Sequence, residues 1–205
     1  LFIVLSNVQA SDEQLSSFVE NLVKQTIVPG IEAFASRATN FKQQTAQYCE
    51  NPTAETLAEL QTSWTKTYLS WKKIQLFGMG PTATLRIERQ LDFWPTRVTR
   101  IEQVLSSLDI NQAFSRAGVS AQGLPAAELL IFKLPEISPT NKCRLLPLLS
   151  QDIESKTNEL NMTWSEYSAT DIMPTFIYSN NPAEEFINAL VVGIYAVRKK
   201  SLIVP

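Results

Sequence analysis

Glu128 is the carboxylate with the most site-like setting in this sequence. It follows Gly123-Leu124-Pro125-Ala126-Ala127. Gly123 permits a backbone geometry that residues with a Cβ avoid, and Pro125 suits the first turn of a helix, where its missing N–H costs nothing. The stretch therefore predicts a helix opening near Pro125, with Glu128 in its first turns, where the backbone's partial positive charge favours a carboxylate. Leu129, Leu130, Ile131 and Phe132 carry the segment onward into apolar surroundings. A carboxylate placed there can accept hydrogen bonds from a ligand or from Arg86 or Arg89. It also complements the helix dipole by itself, and local spacing leans towards that second role.

A second charged group lies upstream. Arg86, Glu88, Arg89 and Asp92 run into Phe93-Trp94-Pro95. Two readings stand: a solvated turn with Trp94 folded into the core, or the wall of a pocket into which Arg86, Arg89 or Asp92 points. Histidine is absent from the chain, which removes the commonest metal ligand and the side chain that titrates near neutral pH. A zinc hydrolase or a Ser-His-Asp triad has no histidine to use here. The candidate site is accordingly a binding set, made of Glu128, Gly123, Pro125, Trp94, Asp92, Arg86 and Arg89, with no catalytic residue, no metal ligand and no cofactor assigned.

The elements that must position these residues read as helices. Leu15, Phe18, Val19, Leu22 and Val23 follow a helical stripe after a capping pattern of Ser11 with Gln14, and Pro29-Gly30 is expected to interrupt it. Ile31, Phe34, Ala38, Phe41, Thr45 and Tyr48 form the next stripe. Leu57, Leu60, Trp64, Tyr68, Trp71 and Ile74 form a third, with its two tryptophans read as core, and Gly78-Met79-Gly80-Pro81 closes it. Val98, Ile101, Val104 or Leu105, and Leu108 resume the period after Trp94-Pro95. Cys143, Leu146, Leu149, Ile153, Leu160 and Trp164 mark a later helix, with Pro147 near its start or kinking it. A final helix carries Phe186, Leu190, Gly193, Ile194 and Val197. Helices are thus expected to begin near Ser11, Ile31, Thr53, Thr96, Pro125, Asn141 and Pro182. No strand-period segment appears, and the fold class is all-α.

With 205 residues, 44% of them hydrophobic, the chain can bury a sizeable core. A formal net charge of -2 with scattered Lys and Arg leaves no electrostatic footprint for nucleic acid or an anionic membrane. Residues 1–10 are apolar and end on Val8-Gln9-Ala10, like the end of a signal peptide with its small-residue cleavage site. Export is the reading, with Ser11 where a lipoprotein has Cys, and with no transmembrane segment in the mature chain. Residues 11–205 then form the mature helical domain. In an oxidising compartment Cys49 and Cys143, at the end of one predicted helix and the start of another, can bridge if those ends meet. Two unpaired core thiols are the competing arrangement.

Leu76-Phe77-Gly78 with Gly80-Pro81, then Leu91-Asp92-Phe93-Trp94-Pro95, then Gly123-Leu124-Pro125-Ala126-Ala127-Glu128, in that order, resemble the imelysin family of bacterial periplasmic and outer-membrane proteins. The resemblance covers nearly the whole chain after Ala10. It implies an all-α fold of two helical bundles, an exported location and a link to iron-regulated or iron-uptake functions. Some members are described as metallopeptidases, with a Gly-x-His-x-x-Glu motif proposed as part of the site. Here Gly123 and Glu128 fit that motif, whereas Pro125 stands in the place of the histidine. Family members are also longer, so residues 11–205 are expected to form the N-terminal part of a two-lobe protein, with an apolar face left on the last helix. The expected function is a periplasmic binding or accessory protein without peptidase activity, acting on a small ligand or a periplasmic or outer-membrane protein partner. A metallopeptidase using carboxylates alone and an interaction module with no small-molecule site are the alternatives.

Overall fold

A computed structural model of the chain describes residues 12–169 and, further on, residues 188, 189, 191, 192, 194 and 195. The N-terminal apolar segment, Ser11 and most of the last expected helix lie outside the described residues. Among those described, the secondary structure is helical throughout. The elements are α1 (Asp12–Leu22), α2 (Val28–Glu50), α3 (Ala54–Ile74), α4 (Gly80–Thr84), α5 (Ile87–Leu91), α6 (Val98–Ser106), α7 (Ile110–Arg116), α8 (Gly123–Glu128) and α9 (Pro139–Ala169).

Three long helices carry the described part of the molecule. The α2 stripe of Ile31, Phe34, Ala38, Phe41, Thr45 and Tyr48 is buried, and α2 packs against both α3 and α9. The short link from α2 to α3 makes the pair antiparallel. Thr53 holds the turn by capping α3: its hydroxyl accepts from the Thr56 N–H, and its own N–H donates to the Thr56 hydroxyl at 3.0 Å. Helix α9 also runs antiparallel to α2. Cys49, at the end of α2, is bridged to Cys143, in the first turns of α9, and Lys42 pairs with Glu154 at 2.6 Å. The two cysteines are therefore a disulfide, with Cα atoms 5.4 Å apart, which resolves the two arrangements in favour of the bridge.

Pro29-Gly30 does not end a helix. Residues Val23–Ile27 form a π-helical turn that runs straight into α2, with Pro29 in its first turn. A proline inside a regular α-helix removes a hydrogen bond and presses its ring on the preceding turn. The wider turn just before it gives the ring room, so the helix continues. Gly30 serves packing, since a Cβ there would lie 2.8 Å from Ile74 Cγ2 of α3.

Other stripe positions differ as well. Phe18 and Leu108 are exposed, Leu108 fully so at 103%, because α6 stops at Ser106 and Leu108 lies past its end. Arg144 of α9 donates to the carbonyls of Leu105 and Ser107 there, closing α6 from outside. Pro147 lies inside α9, whose first residue is Pro139. The short helices α4 to α8 form the long connection from α3 back to α9 and pack on both. That connection holds every residue of the candidate binding set.

Candidate functional site

Three buried tryptophans tie the connection to the long helices. Indole N–H groups seek a partner when buried, and each of these finds its partner in a different part of the connection. Trp64 donates to the Leu124 carbonyl at 3.1 Å, Trp71 to Asp92 Oδ2 at 3.0 Å, and Trp164 of α9 to the Thr82 hydroxyl at 2.9 Å. The aromatic stripe of α3 is thus core by its rings and connector by its nitrogens.

Gly123 joins two of the sequence motifs. Its φ of +74° is in the left-handed region, and a Cβ would lie 2.5 Å from the carbonyl oxygen of Leu91, the last residue of α5. The start of α8 therefore rests on the residue preceding Asp92. Gly123→Ala is expected to lose roughly 2 to 5 kcal/mol, the sum of a left-handed alanine and an overpacked backbone contact. Urea denaturation measures it; a loss under about 1 kcal/mol contradicts this packing.

Asp92 is 3% exposed and accepts from two donors, the Trp71 indole and Lys72 Nζ at 2.6 Å. Lys72 lies over the Tyr68 ring at 4.8 Å and donates to Gln75 Oε1 at 3.0 Å, while Gln75 Nε2 donates to Glu88 Oε1 at 2.9 Å. The chain Asp92–Lys72–Gln75–Glu88 thus leads from the core to the surface. It emerges in a cleft of about 410 Å³ lined by Trp71, Gln75, Thr82, Arg86, Glu88 and Arg89. Among the described residues neither guanidinium in this cleft has an ion pair or hydrogen bond. Arg86 also sits at φ 49° and ψ 40°, a left-handed geometry that costs a residue with a Cβ about 1 to 3 kcal/mol and gathers at functional sites.

The remaining candidates lie elsewhere. Pro125 is buried in α8. Glu128 is the last residue of α8, in its second turn, and Leu129–Lys133 continues as a π-helical segment. The wide turn carries Lys133 onto the same face as Glu128, five residues back, and the two pair at 2.9 Å. Trp94 is 45% exposed, so it is not folded into the core, and it does not line the Arg86 cleft. Of the charged residues grouped from the sequence, Arg86 and Arg89 line the cleft, and Asp92 is buried against the Trp71 indole. Sequence reasoning missed Lys72, Gln75 and Thr82. Only Lys72 gave a signal, as a cation beside a core tryptophan, and that signal is too common to single it out.

These features define a class: an all-helical protein in which three indoles anchor a long, broken connection against a disulfide-stapled bundle. The Imelysin family profile matches residues 27–205, and the chain belongs to the imelysin family. An imelysin-like protein from Psychrobacter arcticum is similar in structure, with a TM-score of 0.77 and 12% identity over 93% of this chain and 63% of that one. A Parabacteroides distasonis protein that carries the name iron-regulated protein A precursor has a TM-score of 0.68 and 21% identity over 76% of this chain. The present chain spans about half, 46%, of that protein's length. At these identities both likenesses show the fold. No curated protein matches the sequence.

The peptidase motif proposed for the family invites a metal, and the residues here do not fit one. Pro125 has no lone pair to offer and is buried, and Glu128 is engaged by Lys133. Among the described residues no three of Cys, Asp and Glu gather into a group that could hold a metal ion.

Proposed function

We propose that this protein is an exported imelysin-like binding or accessory protein, acting in an iron-linked process without peptidase activity. One observation carries the reading. The Gly123–Glu128 motif is engaged in packing and in an ion pair with Lys133, while two guanidiniums with no ion pair or hydrogen bond among the described residues line an open cleft elsewhere in the connection. The disulfide supports an oxidising location such as the periplasm. No described helix is long and apolar enough to cross a membrane. The iron link draws on the name of the Parabacteroides protein, and transcript levels under iron limitation test it.

Incubation of the pure protein with unfolded casein, with and without a chelator, tests the enzymatic side. No cleavage is expected in either arm. Glu128→Gln is expected to change stability by less than about 1 kcal/mol, because its partly exposed pair with Lys133 is of the surface kind. Chelator-sensitive proteolysis that disappears in the Gln variant overturns the proposal.

A further inference from the structure

We infer that the Arg86–Arg89 cleft takes a small dicarboxylate, one carboxylate to each guanidinium. The inference rests on the binding reading above and gives its ligand a chemical class. Arg86 directly precedes α5 and Arg89 lies within it, three residues on. Both side chains line the one cleft although Arg86 is left-handed and stands outside the helix, so each can take one acid of a pair joined by a short carbon chain. A guanidinium recognises a planar carboxylate through two parallel hydrogen bonds, and these two have no competing partner among the described residues.

The other walls narrow the choice. Glu88 lines the same cleft and is held by Gln75 at 2.9 Å. A compact dianion such as phosphate concentrates its charge at one point and meets this fixed carboxylate. A dicarboxylate spreads its charge to its two ends, each beside its own arginine. Ala83 and Gly78, exposed in the cleft wall, give the carbon chain apolar surface to lie against, with Trp71 wholly buried behind them. At about 410 Å³ the cleft is in the size range of small-molecule sites. Underneath, Lys72 and Asp92 satisfy one another and leave the two arginines as the cations facing the ligand.

Calorimetric titration of the full protein with succinate, acetate and inorganic phosphate tests this. Succinate is expected to bind, with acetate and phosphate weaker by at least roughly tenfold. Arg86→Asn and Arg89→Gln are each expected to weaken succinate by a similar factor. Asn tolerates the left-handed backbone at position 86, so this variant keeps its fold, and an unchanged melting temperature verifies it. Acetate or phosphate binding as tightly as succinate, or succinate binding untouched in both folded variants, overturns the inference. A thermal-shift screen of neutral and cationic small molecules runs in parallel. A hit there without succinate binding overturns the dicarboxylate and keeps the binding reading, whereas silence in both experiments overturns both.

Discussion

Replacing Cys49 and Cys143 together by serine is expected to lower the unfolding free energy by about 4 to 5 kcal/mol. The bridge closes a loop across a sequence separation of 94 residues. In the chain-entropy account, a cross-link over so long a loop acts mainly by restricting the unfolded ensemble. That loop contains α3 to α8 and hence every candidate binding residue. In the folded state the end of α2 and the start of α9 are already held together by the packing of the two helices and by the Lys42–Glu154 pair. The double variant is therefore expected to fold, with unchanged helical circular dichroism, and to unfold at lower urea. Its denaturant slope should be steeper, because a chain free of the cross-link exposes more surface on unfolding. A midpoint and slope equal to those of the oxidised wild type would show that the staple contributes nothing.

Asp92→Ala is expected to cost about 3 to 5 kcal/mol, the range for removing one partner of a buried ion pair. Two donors lose their acceptor at once, the Trp71 indole in the core and Lys72 Nζ. Lys72 keeps 20% of its side chain exposed and can turn partly to water, which places the loss towards the lower end. Asp92→Asn keeps an acceptor for the indole while removing the charge, and its loss should fall between that of Ala and wild type. Combining Asp92→Ala with Lys72→Met should recover part of the loss, since no buried cation is then left uncompensated. Equal losses for the single and the double variant would mean that Lys72 is not the partner that matters.

Much of this architecture was legible in the residues. Helical periodicity located α2, α3 and α9 because each buries one continuous face, and a repeat of buried side chains leaves its period in the sequence. Thr53 announced the start of α3, and the positive φ of Gly123 agrees with the freedom that only glycine has there. The two cysteines were placed at helix ends able to meet. Pro29-Gly30, by contrast, carries ordinary stop chemistry. Only the π turn ahead of it and the approach of Ile74 make it the interior of a helix junction. The partner of Glu128 was hidden for a similar reason: residues five apart do not share a face on an α-helix, and only the π-helical segment that follows α8 brings Lys133 around to it. The Asp92–Lys72 pair spans α3 and the connection. Such a contact leaves no period in either segment, because charge and spacing within a helix report which face is buried and not what lies against it. The period of the chain determined the bundle, and the tertiary packing of a broken connection against three indoles decided which charged residues share a cleft.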